Sequence, residues 1–486
     1  MVSGATPGAG RREVRSPYDG SLIGSVDLAG TETVESSLAS AYALYRDRDA
    51  WLPPAQRIAI LRKAAHQMEQ RAEMLAVEAA REGGKPLLDS RVEVARAIDA
   101  VLNCVELLRG DAGRVVPMNI NAASANRIAF TIREPIGVVA AISAFNHPLN
   151  LIVHQVAPAI AAGCPVIVKP ADDTPLSCMR FVEILHEVGL PPEWCQAYVT
   201  VDNDVATALA TDRRVGFFSF IGSARVGWML RSKLAPGTRC ALEHGGAAPV
   251  IVAADADLAS AVPKLVKGGF YHAGQVCVSV QRVFAHRGVA RRLAEAVAAQ
   301  AMKLRVGDPT SPETEVGPLI RAREVDRVDE WVAEAVAEGA QLLCGGKRLP
   351  GNCYAPTVLL DAPDSCRVSR EEVFGPVVCI YSVADTEEAI ARANSLNVAF
   401  QAAVFSRDYD TVMRAFNRLD ASAVMVNDHT AFRVDWMPFA GLRESGLGVG
   451  GIPFTFHDMQ LEKMFVGSVP REVQEPQDVV RRRAAT

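Results

Sequence analysis

Residues 137–169, GVVAAISAFNHPLNLIVHQVAPAIAAGCPVIVK, decide the fold. Two short apolar runs, GVVAAI at 137–142 and CPVIVK at 164–169, flank a stretch of helical length. Continuous apolar runs rich in β-branched residues are the pattern of strands covered on both faces, as in a parallel sheet. Pro148 suits the first turn of a helix, so 148–162 is expected to be helical, giving strand, helix and strand in that order. No Asp, Glu, Lys or Arg lies between Glu134 and Lys169, a length sufficient to cross a membrane. Asn146, His147, Asn150, His154 and Gln155, with Pro148, Pro158 and Pro165, break the run into short pieces, so a buried core is expected instead.

The alternation continues outward. Residues 175–188 read as the next helix, and 196–200 and 215–220 as strands around an alanine-rich helix, which completes a doubly wound nucleotide-binding pattern. Upstream, 127–134 alternates with the strand period, and 55–110 shows helical periodicity with many charges, expected as amphipathic surface helices forming an outer layer. A second α/β series starts near Pro249, with helices at 257–272, 288–304 and 322–339 and strands near 377–382, 402–405 and 423–426. Its first helix runs into Gly274-Gln275-Val276-Cys277, delivering a cysteine-bearing loop toward the first unit.

Composition narrows the classes of function. The 486 residues are 49% hydrophobic and 22% charged, an ordinary globular balance, and their length predicts more than one domain. A net charge of −5 repels a phosphate backbone, which argues against nucleic acid as a partner. The ten cysteines form no CxxC pair and no zinc-spaced cluster, so neither a metal site nor a disulfide framework is expected, and a reducing cytoplasm fits. Met1 to Gly20 lacks the apolar core of a secretory signal.

Chemistry enters through four places. Phe220-Ile221-Gly222-Ser223-Ala224-Arg225-Val226-Gly227 sets two glycines five apart between a strand and a helix, where backbone amides and the Ser223 hydroxyl can meet a pyrophosphate. An ordinary βα turn reads the same way, and no GxxxxGK[ST] motif supports nucleotide hydrolysis. Cys277 alone reads as a buried small hydrophobe. Glu243, in Leu242-Glu243-His244-Gly245-Gly246, changes that reading, because an acid beside a glycine pair at a strand end supplies a base to accompany the thiol. Asn146 adds a side-chain donor at a strand-to-helix turn.

Together these residues resemble the NAD(P)-dependent aldehyde dehydrogenase superfamily, over nearly the whole chain from about Ser16 to Val466. The resemblance rests on Phe145-Asn146, Val168-Lys169-Pro170-Ala171-Asp172, the Gly222-to-Gly227 turn, Glu243-x-Gly-Gly, Phe270-x-x-x-Gly274-Gln-x-Cys277, Glu371-Glu372-Val-Phe374-Gly-Pro376, and Pro438-Phe439-x-Gly441-x-x-x-Ser445-Gly446. It is nearest to dehydrogenases of phosphonoacetaldehyde and related short polar aldehydes. It implies an α/β fold with a Rossmann-like dinucleotide domain over 1–117 and 137–245, a catalytic domain over 246–440, and a small β oligomerisation element over 118–136 with the tail 441–486. A hairpin in 118–136 would be joined by strand residues near 463–468 to make homodimers or homotetramers. Cys277 would be the nucleophile, Glu243 the general base, and Asn146 with the Cys277 amide the oxyanion hole. Lys169 and Asp172 would hold the adenosine ribose, Gly222, Ser223 and Gly227 the pyrophosphate, and Glu372 the nicotinamide ribose, with Ser143, Phe145 and Phe374 also at the cofactor. NAD is the expected cofactor and NADP possible, since Asp172 stands where a longer Glu is common.

The substrate end departs from the family pattern. Phe145 stands in place of a frequent Trp, His244 follows the base where an apolar residue is common, and His272 and Ala273 precede Gly274. His147, Leu151 and His154 recur at i, i+4 and i+7 and share a face with Asn146. Arg96 and Arg433, with Phe439 near the tunnel, can offer a cation to an anionic aldehyde. Plainer readings are core histidines bonded to backbone, and arginines paired with Glu93 or Asp435 at the surface. A CoA-acylating enzyme is the alternative in which the thioester passes to a thiol, and Glu243 argues against it. A non-catalytic protein on the same fold is the alternative of another class, which Cys277, Glu243, Asn146 and Lys169 together oppose.

Overall fold

A computed structural model describes residues 1–2 and 8–469. The tail from 470 onward, part of the element expected over 441–486, lies outside the described residues. The apolar run Val138–Ile142 sits at the heart of a six-stranded sheet. Its neighbours in order are Gly446–Leu447, Arg239–Glu243, Val215–Ile221, Val138–Ile142, Val166–Lys169 and Cys195–Ala197. All pairs are parallel except the edge pair Gly446–Leu447 with Arg239–Glu243. Both faces of Val138–Ile142 are buried, which is why its sequence shows no alternation.

The second sheet has seven strands, ordered Gln341–Cys344, Thr357–Leu360, Val377–Val383, Arg282–His286, Pro249–Val252, Gln401–Phe405 and Ala423–Val426. Only Gln341–Cys344 runs antiparallel to its neighbour. Gln341–Cys344, Arg282–His286 and Thr357–Leu360 are additions to the sequence reading. A third sheet pairs Gln460–Ser468 antiparallel with Arg127–Pro135, whose other partner is Val115–Val116, so the hairpin expected within 118–136 has its first strand before that range. This ribbon carries exposed apolar side chains, among them Ile128, Phe130, Ile132, Met464, Phe465 and Val466.

Three further expectations need correction. The strand expected at 196–200 is split: Cys195–Ala197 stays in the six-stranded sheet, and Val199–Thr200 pairs with Leu22–Ala29 in another. The helix expected from 148 begins at Asn150, and Glu93 caps it by accepting from the Leu149 and Asn150 amides at 2.9 Å. The helices of 55–110 are not merely an outer layer. Glu82, Lys85, Asp89 and Glu93 are all buried. Each has a partner: Lys85 pairs with Glu93, Asp89 with Lys267 at 2.7 Å, and Glu82 accepts from the Leu176 and Ser177 amides at 2.7 and 2.8 Å. Among the described residues no helix is long and apolar enough to cross a membrane.

Candidate active site

Arg239–Glu243 ends on Glu243, and the helix Leu258–Phe270 ends just before the loop that carries Cys277. In that loop His272, Ala273 and Gly274 are consecutive left-handed residues, with φ of 48°, 54° and 71°. For His and Ala this conformation costs on the order of 1 kcal/mol each, so the surroundings must impose it. A Cβ on Gly274 would lie 2.0 Å from the Gly375 carbonyl oxygen, so only glycine allows the two backbones to approach. Gln275 pins the next step: its Nε2 donates to the Pro318 carbonyl at 3.2 Å and its Oε1 accepts from the Ile320 amide at 3.0 Å.

Asn146 joins the loop through Nδ2, which donates to the Gln275 carbonyl at 2.9 Å. The amide carries two hydrogens, so this bond orients the group and leaves one donor for a reacting oxygen. Asn146, Glu243 and Cys277 line one cavity of about 820 Å³, within the range of small-molecule sites. Burial pushes the Cys277 thiol up to about 12, opposed by the positive charge of Arg433. Burial also raises the Glu243 carboxyl, again opposed by Arg433. The Glu243 carboxylate rests against Gly450, where a Cβ would lie 2.1 Å from Oε1.

Ser143, Phe145, Gly222, Ser223, Glu372 and Phe374 line the same cavity. Glu372 occupies a cradle of backbone: a Cβ on Gly245 would lie 1.9 Å from its Oε1, and the Gly246 amide donates to that oxygen at 3.2 Å. Burial raises its carboxyl to about 8. Phe145 and Phe374 meet edge to face at 5.9 Å between ring centres. Ser223 is the N-cap of Ala224–Arg231 and spends no side-chain bond on capping. A helix N-terminus beside a carboxylate cradle suits a phosphate-bearing ribose dinucleotide.

Gly222 and Gly227 differ from expectation in detail. The Gly222 amide is bonded to the Glu243 carbonyl at 3.0 Å, and its own carbonyl accepts from His244 Nδ1 at 2.9 Å. Gly227 lies outside the cavity lining and is required by packing, since a Cβ there would sit 2.0 Å from His244 Cε1. Lys169 and Asp172 also lie outside the lining. Lys169 Nζ contacts Asp172 at 2.6 Å, and Arg12 of Arg11–Arg15 contacts the same carboxylate. Burial works against the charge on Asp172, and the two cations outweigh it and lower its pKa.

His147, Leu151, His154, Arg96, Arg433 and Phe439 all line the cavity. His147 precedes the helix Asn150–Ala162, and its Nε2 lies 3.4 Å from the Tyr271 hydroxyl. His154 is neither free nor bonded to backbone: its Nε2 lies 2.7 Å from Asp435 Oδ1. Arg96 forms a two-point pair with Asp435 at 2.7 and 3.0 Å, so the partner expected at the surface is instead buried. Arg433 lies face-on to Phe439, with Cζ 3.5 Å from the ring centre. Among the described residues no carboxylate lies within ion-pair distance of Arg433, and its buried Nε has no hydrogen-bond partner.

Gln275, Gly450, Arg12 and Tyr271 were not singled out from sequence. Gln275 stood inside the quoted Gly-Gln-x-Cys motif, a signal for it, whereas Arg12 and Gly450 are distant in sequence from what they touch.

Residues 5–465 match the family described as "Aldehyde dehydrogenase family". A protein named 3-sulfolactaldehyde dehydrogenase from Priestia aryabhattai is 37% identical over 458 residues, covering 94% of this chain and 95% of its own. Betaine aldehyde dehydrogenase of Cereibacter sphaeroides (strain ATCC 17029) is 35% identical over 461 residues, covering 93% of each. Among solved structures, glyceraldehyde-3-phosphate dehydrogenase GapN of Methanocaldococcus jannaschii complexed with NADP superposes with a TM-score of 0.89 at 33% identity, covering 94% of this chain and 98% of that one.

Proposed function

Because the chain belongs to the aldehyde dehydrogenase family, we propose that it oxidises a short aldehyde with an anionic tail to the free carboxylate, using NAD or NADP. The observation that carries the choice of substrate is Arg433, a cation lining the cavity with no carboxylate in ion-pair contact among the described residues. Burial of this cation is offset only in part by Glu243 and Asp435, neither of which touches it, and a ligand whose anionic group reaches it recovers more of that cost. Similarity alone does not select the charge, since the relatives include one named for an anionic aldehyde and one named for a cationic aldehyde.

In this reading the Cys277 thiol loses its proton to solvent as its sulfur adds to the aldehyde carbon, and the free Asn146 hydrogen stabilises the oxygen as it gains charge. A bound nicotinamide would supply the two-electron acceptor, and Cys277 would then carry the acyl group as a thioester. Glu243 then takes a proton from water, which attacks the thioester carbon; the carboxylate leaves and the thiol is regenerated. Glu372 in its glycine cradle would hold the ribose on the nicotinamide side, and Ser223 with the helix N-terminus the pyrophosphate.

Replacing Arg433 by methionine is expected to lower kcat/KM for a carboxylate-bearing aldehyde, relative to its neutral carboxamide analogue, by about 10–150-fold, the equivalent of one charge-assisted contact of roughly 1.5–3 kcal/mol. The ratio is the readout, because Arg433 also acts on Cys277 and Glu243 and its loss affects both substrates. An unchanged ratio defeats the anionic-substrate reading and leaves the dehydrogenase assignment standing.

Cofactor preference follows from Asp172. Its charge disfavours a 2′-phosphate nearby, and its engagement by Lys169 and Arg12 weakens that exclusion. NAD is expected to be preferred with NADP also used, and kcat/KM measured for both would show otherwise if NADP exceeded NAD. We further propose that the exposed apolar ribbon of Arg127–Pro135 and Gln460–Ser468 is where a second copy joins, by extension of the sheet.

A further inference from the structure

Arg433 has an unusual companion. His154, within the helix Asn150–Ala162, stands between Asp435 and Arg433, with Nε2 2.7 Å from Asp435 Oδ1 and Nδ1 3.5 Å from Arg433 Nη2. An ionised carboxylate can only accept, so the proton of a neutral His154 ring must lie on Nε2. Nδ1 then presents a lone pair to the guanidinium. We propose that His154 is a positioning residue which, through the line Asp435–His154–Arg433, aims the Arg433 guanidinium at the anionic tail of the substrate; this rests on the reading of Arg433 given above.

Three observations support it. Asp435 is held on several sides: Arg96 donates to both of its oxygens, and Asn150 Nδ2 donates to Oδ1 at 3.2 Å. That network fixes the histidine, which has only 4% of its surface exposed and no freedom to turn away from Asp435. Arg433 is limited to a plane by Phe439 at 3.5 Å, but an aromatic face does not set the rotation of the guanidinium within that plane. The Nδ1 lone pair lies beside one end of the fork and selects a rotation that leaves the remaining donors for the cavity. Burial keeps His154 neutral, so it acts as an acceptor and adds no second cation beside Arg433.

A four-protein cycle tests this on the full chain: wild type, His154→Phe, Arg433→Met and the double variant. Each is assayed with succinic semialdehyde and its neutral carboxamide analogue, with thermal unfolding as a check of folding. In wild-type background, His154→Phe should lower the anion-to-neutral ratio of kcat/KM by about three- to tenfold, mostly through KM for the anion, as expected for one lost hydrogen bond. In the Arg433→Met background the same change should leave the ratio unaltered, since nothing remains to be aimed. His154→Gln, which retains an acceptor and a donor, should recover most of the loss and provides the reading if the phenylalanine variant does not fold. If Arg433→Met collapses the ratio while both His154 variants keep it, the positioning role is overturned and the anionic-substrate reading survives. If Arg433→Met leaves the ratio intact, both fall together. A His154→Phe effect of equal size in both backgrounds also overturns the proposal, because the histidine would then act on the cavity without Arg433.

Discussion

Cys277→Ala should abolish aldehyde oxidation, lowering turnover by at least about 10⁴-fold, while NAD binding and thermal stability remain near wild type. Without the sulfur no covalent adduct forms, and the cavity holds no second cysteine: the other nine do not line it. The thiol also carries a pH signature. With its pKa pushed up to about 12 by burial, it is protonated near neutrality. The rate of alkylation by iodoacetamide in the absence of cofactor should therefore climb about tenfold per pH unit between about pH 8 and about pH 10, because the thiolate fraction does. Incorporation should be one equivalent, at Cys277. Retained turnover in Cys277→Ala would end the proposed mechanism, whereas a flat alkylation profile would show only that the free thiol is more acidic than its burial implies.

The second large effect concerns Glu243. In Glu243→Gln the first half-reaction should still proceed, so mixing enzyme, NAD and aldehyde should release one equivalent of NADH per site in a burst, followed by turnover slowed about 10²–10⁴-fold. Because burial raises the Glu243 carboxyl, the wild-type base should be lost on acidification earlier than a solvated glutamate would be. The sign follows: the active form is the carboxylate, so steady-state turnover falls as pH drops through the raised pKa while the burst amplitude persists. Normal steady-state turnover in Glu243→Gln would assign water activation to another group.

Much of this site was legible in the sequence because it is built from local backbone events. The apolar run at 137–142 is a strand because both of its faces are covered, and the motifs at Glu243 and Cys277 fall at a strand end and just beyond a helix end. What was not legible depends on distant partners. Helical periodicity places the charged residues of 55–110 on a wet face, and nothing within that stretch reveals that Lys267 waits for Asp89, or that the Leu149 and Asn150 amides wait for Glu93, which also holds Lys85. Gly227 reads as a phosphate-loop glycine, yet the ring that requires it belongs to His244. Asp435 reads as a surface partner for an arginine, although four donors from Arg96, Asn150 and His154 converge on it in the interior. The left-handed His272 and Ala273 leave no trace in composition, because neither residue type advertises that conformation.

The Lys85–Glu93 pair, with neither side chain exposed, has a consequence for how lineages of this chain can change. Losing either partner alone strands a charge in the interior at about 3–5 kcal/mol, a large share of the roughly 5–15 kcal/mol that holds a typical domain together. Glu93 also caps the helix that follows Asn146, so its loss loosens the turn beneath the oxyanion donor as well. A path of single substitutions through either intermediate therefore costs a lineage a large part of its stability at that step. The two positions should therefore tend to be inherited as a unit, both ionic or both neutral.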